Sequence, residues 1–489
     1  MKYDDIVIGA GVSGLSTAIL LAQNGRKVAV VEKAPAIAPT IRGFTRDGVY
    51  FDTGFHYAAM LGKGCALARL FERLGILPHL RIKENGQTSG DLFFHVPSGF
   101  KFQFGETLQD LMVQLTEAFP DEANAIKCYI SDLRHLVDQI QRKLFTVVLD
   151  PARLFENADL SLGRYLQENF KSPLLQTLLS IHAVLYGSWP DETSLQYHSM
   201  ITGGYYDQSQ QIYNGGHAIA QAFDKELKNN GIDLYTNSAV DQVRLNDSKT
   251  VKAVYLENGN VIECENCIYT AHPRLLITML PKDVFRPIYR NRLVELEDTT
   301  SAVVLYCKRK KACSKTDFNT LILAHSLFPG LYADTSEFGN RPLFISHSIS
   351  DRDTEGISII CPWKYEDMKV WEASGVGNRS SAYSDWKERI AETILHKAME
   401  NCSDIIGELD IIDVATPLTF RDYMNAPHGS LYGAKHQLSD MPLLPRTRIK
   451  GLYLSGQATL ATGVMGAMLS GFQSAALITG EDYRETMES

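Results

Sequence analysis

Asp5-Ile6-Val7-Ile8-Gly9-Ala10-Gly11-Val12-Ser13-Gly14 is the stretch on which the reading of this chain turns. The run from Ile6 to Ile8 is short and wholly apolar, which predicts a buried strand. The Gly-x-Gly-x-x-Gly after it opens an apolar-periodic segment, Leu15 to Gln23, that predicts a helix. A second strand is expected over 27–31 and ends at Glu32, so an acid stands about 20 residues beyond the glycines of a βαβ unit. Each residue type has a physical task. Gly9 makes the tight turn, Gly11 admits a diphosphate against the backbone, and Gly14 lets the helix lie close to the sheet. Val12 and Ser13 belong to the helix start, whose unpaired N–H groups carry about half an elementary charge toward an anion. Glu32 is expected to accept hydrogen bonds from ribose hydroxyls.

The far end of the chain repeats the pattern. Gly451-Leu452-Tyr453-Leu454-Ser455-Gly456 reads as a strand ending in glycine, and Gly463-Val464-Met465-Gly466-Ala467-Met468 as the start of a helix. A second helix N-terminus in the same cleft suits the electron-rich end of a flavin ring, where negative charge gathers on reduction. The expected cofactor is therefore FAD. A third piece lies mid-chain: Tyr213-Asn214-Gly215-Gly216, an amphipathic helix from His217 to Asn229, a strand over 232–235, and a hairpin through Asn258-Gly259. Val240 is expected to approach the adenine through its backbone.

The rest of the composition narrows the function classes. At 489 residues the chain exceeds what one core usually holds, so two interleaved domains are expected. A formal charge of −9 argues against nucleic acid or an anionic membrane surface as a broadly attracted partner. Met1-Lys2-Tyr3-Asp4-Asp5 runs directly into a strand, so no secretion leader and a cytoplasmic location are expected. The apolar stretch 463–480 is interrupted by Gly466 and Gly471 and falls short of a membrane span of about 20 apolar residues. Cys264 and Cys267 form a Cys-x-x-Cys without a second ligand pair, inside a strand-like run, so no metal site is expected.

With these residues in hand, the chain resembles the phytoene desaturase superfamily of FAD-dependent, amine-oxidase-like flavoproteins, and within it the carotenoid isomerase and retinol saturase branch. The segments that carry the resemblance are Phe51-Asp52-Thr53-Gly54-Phe55-His56-Tyr57, Tyr213-Asn214-Gly215-Gly216, Thr416-Pro417-Leu418-Thr419, Ala426 to Gly433, and Leu454-Ser455-Gly456-Gln457. The resemblance implies an α/β fold, with a Rossmann-like FAD-binding domain of glutathione-reductase type interleaved with an α+β substrate-binding domain. The boundaries read as 1–80, 205–285 and 440–489 for the first, and 81–204 and 286–439 for the second. Lys33, Thr53, Gly54, Gln457, Val464 and Ala467 join the implied FAD contacts. Relatives carry a Gly-Gly pair on the diphosphate where this chain has Ala38-Pro39. Proline fixes φ and lacks a donor, so the loop is expected to follow another path, with Arg42 compensating by charge.

The implied substrate is a long conjugated or isoprenoid hydrocarbon. Burying roughly 400 Å² of polyene yields on the order of 10 kcal/mol gross at about 25 cal/mol/Å², so few polar contacts are needed. The cofactor carries the chemistry, and His56 is the titratable group expected beside it, with Tyr57, Tyr432 and His436 as weaker candidates. His428 stands where retinol saturase relatives carry arginine. Desaturation, saturation and cis–trans isomerisation share nearly one site, so the class is specified and the direction is not. Two rivals remain at this level. One is an amine-oxidase-type enzyme, which would show an aromatic pair flanking the flavin; the other is a non-catalytic lipid binder resembling Rab GDP dissociation inhibitors. An apolar entrance would suffice for peripheral membrane contact, and no feature specifies an oligomeric state.

Overall fold

The computed structural model describes residues 2–83, 90–143, 160–206, 209–310, 318–332, 340–351, 355–436, 438 and 443–483. Parts of the expected 1–80, 81–204, 205–285, 286–439 and 440–489 segments therefore lie outside the described residues.

Ile6-Val7-Ile8 belongs to strand Lys2–Ile8, which takes the centre of a sheet because its residues are buried on both faces. Val28–Val31 pairs parallel on one side of it and Val261–Tyr269 parallel on the other. Asp233–Tyr235 extends the first edge in parallel. Strand Val261–Tyr269 pairs twice more: its first residues run antiparallel to Val251–Leu256, and Cys267 to Tyr269 run parallel to Leu452–Leu454. Val240–Leu245 closes this sheet against Val251–Leu256. Segments from the beginning, middle and end of the sequence thus share one sheet, as expected for the Rossmann-like fold. Cys264 and Cys267 are buried positions of its strand Val261–Tyr269.

The alternation of side chains assigns the two faces. Val7, Val28 and Val30 face a core shared with helices Val12–Gln23 and Gly463–Thr479. Ile8, Ala29 and Val31 face the opposite core, with Val243, Val254, Leu276 and Phe285. The two helices lie against each other, with Gly471 tight against the first. A Cβ added there would stand 2.7 Å from the carbonyl oxygen of Ser13.

A second sheet has the order Leu409–Ala415, Ser301–Arg309, Gly356–Trp363, Leu343–Ser348, Thr320–Ala324, Leu92–His95, Phe100–Gln103. It is antiparallel except where Thr320–Ala324 meets Leu92–His95. Helix Ser381–Ile406 supplies Ile394, Ala398 and Cys402 to the core on its outer face. Among the described residues no helix is long and apolar enough to cross a membrane.

The contact at Gly471 gives a direct test of the packing. Gly471→Ala forces a methyl group onto backbone and is expected to cost about 1–3 kcal/mol of stability, read as a lowered urea midpoint with unchanged m-value.

Candidate functional site

The glycine turn is built as tightly as its sequence demands. Gly9 has φ 105, and a Cβ there would meet the Thr270 hydroxyl at 2.5 Å; a Cβ on Gly14 would stand 2.1 Å from the Gly9 carbonyl oxygen. Gly11 differs, because nothing lies within 4 Å of the position a Cβ would take. That open space faces a cleft of about 470 Å³, lined by Gly9, Gly11, Glu32, Lys33 and Thr40 on the N-terminal side. Val240, Ser455, Gly456 and Gln457 line it from the other segments. The helices starting at Val12 and Gly463 have no side-chain cap and no acid in the first turn, so their N–H groups are left for an anion.

Glu32 does more than the sequence suggested. Its carboxylate accepts the Ala10 N–H at 2.6 Å and the Ala34 N–H at 2.7 Å, bracing the turn while it lines the cleft. Each oxygen retains a second lone pair for a ribose hydroxyl. At the Ala38-Pro39 departure, Ala38 takes φ 49, the left-handed conformation that glycine adopts freely, and its N–H donates to the Ala10 carbonyl at 2.7 Å. Arg42 follows within a turn, its N–H bonded to the Ala38 carbonyl, and its Nη1 is buried with no hydrogen-bond partner. A buried cationic nitrogen without an acceptor fits an anionic diphosphate beside it.

Other expected contacts hold the site from behind. Ser13 Oγ lies 2.6 Å from Ser455 Oγ, and Ser470 Oγ lies 3.2 Å from Ser455 Oγ and accepts the Gly456 N–H at 2.8 Å. Thr53 donates its hydroxyl to the Thr40 carbonyl at 3.1 Å. Val12 and Ala467 pack against the core, and Val12, Ser13, Gly14, Arg42, Thr53 and Ala467 stand outside the lining of the cleft.

Asp52 explains why two separated motifs occur together. Its buried carboxyl accepts the Tyr50 hydroxyl at 2.6 Å and the Gly216 N–H at 3.2 Å, at the start of helix Gly215–Asn229. A Cβ on Gly215 would stand 2.0 Å from an Asp52 carboxyl oxygen, so Asn214-Gly215-Gly216 and Phe51-Asp52 are two sides of one contact. Burial pushes the Asp52 carboxyl up from 3.8 to about 7.

The helix start at Gly463 borders a second, smaller cavity of about 120 Å³. Gly54, His56, Tyr57 and Tyr432 line it together with Gly463, Val464 and Gly466, so the candidate catalytic residues converge with the C-terminal motif. Tyr432 lines this cavity and Gly433 the cleft, which places the two spaces side by side. His56 Nδ1 is 3.0 Å from the Ser346 hydroxyl, and burial pulls its pKa down to about 4, leaving a neutral imidazole at pH 7. Burial pushes the Tyr432 phenol up to about 12. His436 lies behind the cleft, its Nε2–H donating to the Gln457 carbonyl at 2.8 Å, and His428 is half exposed beside Asp298.

Sequence reasoning missed what stands behind Tyr57. The phenol donates to Asp91 at 2.7 Å, and the same carboxylate oxygen lies 2.9 Å from His182 Nε2, with Asp91 and His182 both buried. No local spacing links these residues, and His182 sits in an otherwise apolar run, so no signal in the sequence marks the pair. Tyr205 also lines the cavity.

Comparison with known proteins gives a consistent picture. Residues 12–479 match the family described as flavin containing amine oxidoreductase. The chain is 25% identical to all-trans-retinol 13,14-reductase of Danio rerio, over 95% of this chain and 84% of that protein. It is 24% identical to the chloroplastic prolycopene isomerase of Daucus carota, over 97% and 79%. Among solved structures, cyclohexylamine oxidase from Brevibacterium oxydans superposes with a TM-score of 0.61 at 15% identity, covering 99% of each chain; this likeness is one of fold.

Two outcomes test the site. Gly11→Val, which has room to fold, fills the space above the turn; the purified variant is expected to keep its circular dichroism and lose flavin absorbance near the visible maximum. For Asp52, a carboxyl whose pKa is raised on folding lends stability that is complete below 3.8 and is lost as pH rises through about 7. Asp52→Asn cannot ionise, so its melting temperature should lack the decline that the wild type shows across that window.

Proposed function

This chain belongs to the flavin-containing amine oxidoreductase family and is an FAD-dependent oxidoreductase, and we propose that it acts on carbon–carbon bonds of a long apolar polyene or isoprenoid. The reaction class is desaturation, saturation or cis–trans isomerisation. The observation that carries this reading is the wall of the small cavity: Met60, Leu67, Leu185, Met200, Ile201 and Leu469, at the mouth of helix Gly463–Thr479. Tyr205 and Tyr432 both line it, and aromatic rings at the flavin are the feature expected of an amine oxidase. The described lining residues include no carboxylate to balance an ammonium, however, and an uncompensated buried charge is costly. An uncharged hydrocarbon meets no such penalty. The resemblance to retinoid- and carotenoid-named relatives supports the same class.

Gly9, Gly11 and the N–H groups of Val12 and Ser13 would hold the FAD diphosphate, with Arg42 as its counter-charge. Glu32 and Lys33 would take the adenosine ribose side, Val240 the adenine, and Thr53, Gly54, Gly456, Gln457 and the start of helix Gly463–Thr479 the flavin half. Bound FAD supplies or accepts a hydride or single electrons. His56, neutral near pH 7, is able to take up a proton but holds no imidazolium proton to give. Burial leaves the resting Tyr57 and Tyr432 phenols protonated, and the apolar wall orients the chain and excludes water. Residues 1–80, 205–285 and 440–489 are assigned to FAD binding, and 81–204 and 286–439 to the substrate. A cytoplasmic protein drawing an apolar substrate from a membrane surface is the setting this chemistry favours.

Anaerobic incubation of oxidised and of reduced holoenzyme with a panel of retinoids, carotenoids and linear isoprenoids, followed by mass analysis, decides the reading. A change of two hydrogens identifies desaturation or saturation, and unchanged mass with altered retention identifies isomerisation. Absence of reaction across the panel removes the substrate class.

A further inference from the structure

Tyr57 is the cavity-facing end of a continuous hydrogen-bonded chain. Its hydroxyl donates to Asp91 Oδ2 at 2.7 Å; His182 Nε2 lies 2.9 Å from that oxygen, and His182 Nδ1 lies 3.0 Å from the Tyr206 hydroxyl. The other Asp91 oxygen accepts the Thr320 N–H at 3.1 Å. Phe104 closes the far side, its ring 4.7 Å from the His182 ring and stacked on Tyr206 at 5.6 Å. Asp91 is 6%, His182 1% and Tyr206 2% exposed, so the only member of the chain that also lines either described cavity is Tyr57.

Burying a carboxylate is expensive unless donors surround it, and a purely apolar support for Tyr57 would have served packing as well. What this arrangement adds is capacity for a proton. With neutral His182, Nε2–H donates to Asp91 and Nδ1 accepts from Tyr206. With protonated His182, both nitrogens donate and the Tyr206 oxygen becomes the acceptor. The chain therefore gains or loses one proton with each of its hydrogen bonds retained. The titratable groups facing it are Tyr57, Tyr205, whose ring lies 5.2 Å from Tyr57, Tyr206, and His198 on the helix beside His182. None of these brings a fixed charge into the cavity.

We propose that Tyr57 is the proton-transfer residue of the cavity and that Asp91 and His182 are positioning residues that hold and replenish its proton. The proposal rests on the polyene reading above. In saturation of a C=C bond, bound reduced FAD would supply the hydride for one carbon, and Tyr57 gives its proton to the other. The Tyr57 O–H bond breaks as the new C–H bond forms. The phenolate oxygen then takes the proton shared by Asp91 and protonated His182, leaving carboxylate and neutral imidazole. In desaturation the proton moves backward along the same path to end on His182, and bound oxidised FAD would accept the hydride. His56, neutral and bonded to Ser346, stays outside this path.

The test uses holoenzyme and three variants: Tyr57→Phe, which removes one hydroxyl, Asp91→Asn and His182→Gln. All are expected to retain flavin absorbance. With the polyene that the wild type converts, Tyr57→Phe should slow a single turnover by about 10²- to 10⁴-fold, the range of a positioned acid or base. The pH profile of wild-type saturation is expected to be altered in both Asp91→Asn and His182→Gln. Independently of turnover, binding of a saturated, unreactive isoprenoid should shift a carboxyl infrared band that is absent from Asp91→Asn and unmoved in Tyr57→Phe. Full single-turnover rate in Tyr57→Phe, or an unchanged pH profile in both other variants, would overturn the relay. If the wild type converts no polyene, the substrate reading falls, and the infrared comparison alone decides the relay: no ligand-sensitive Asp91 band refutes it.

Discussion

The structure depends on a joint between the two ends of the chain. Ser13, at the start of the first helix, and Ser455, at the end of the last strand, bring their hydroxyls to 2.6 Å, and Ser470 on the last helix completes the cluster with Ser455 and Gly456. Around it, Gly471 lets the two helices approach until a methyl group would clash with the Ser13 carbonyl. Buried hydroxyls left without partners are costly, so each of these groups fixes the position of the others. Two uncapped helix N-termini are thereby held in adjoining spaces, the first at the cleft and the last at the smaller cavity beside it. Preorganised backbone dipoles of this kind stabilise charge without reorganisation when it arrives, which is what a dinucleotide carrying a redox-active ring requires.

A second polar contact ties the middle of the chain to the same frame. Asp52 reaches the start of helix Gly215–Asn229 and receives the Gly216 N–H, while its own N–H donates to Ser348 in the second sheet at 2.9 Å. One side chain and its backbone thus join the mid-chain helix, the loop leading to His56 and a strand of the other sheet. The cost is a buried carboxyl whose ionisation is delayed to about pH 7. The cavity beyond it is held by neutral groups: a histidine kept deprotonated by burial, tyrosines kept protonated by the same cause, and an aliphatic and thioether wall. Behind Tyr57 stands the buried Asp91–His182 pair, where three groups are within hydrogen-bond distance of the Asp91 carboxyl.

The elements with strong local signals were legible before any coordinates. Ile6-Val7-Ile8, the glycine turn and the helix after it are specified within a few residues by burial on both faces, by φ and by close approach, and the structure has them at Lys2–Ile8 and Val12–Gln23. The mid-chain helix starts at Gly215 rather than His217, because Asp52 satisfies a backbone donor there that the local sequence leaves unassigned. Glu32 was legible as an acceptor but its bracing of Ala10 and Ala34 was not. At Ala38 the sequence showed the absence of glycine, while the left-handed φ that the alanine nevertheless adopts emerged only from its bond to Ala10.

The sequence by itself determined the nucleotide-binding βαβ unit, the return of the C-terminal strand and helix to that site, and the cofactor. Those features reside in contiguous residues whose conformations are set locally by glycine, by apolar alternation and by helix termini. Only the tertiary structure decided which groups meet across the chain: Ser13 with Ser455, Asp52 with the Gly216 N–H, Tyr57 with Tyr205, and Asp91 with His182. These pairings have no spacing rule, because they arise where sheets and helices from distant segments pack, and their protonation states follow from the burial that this packing imposes.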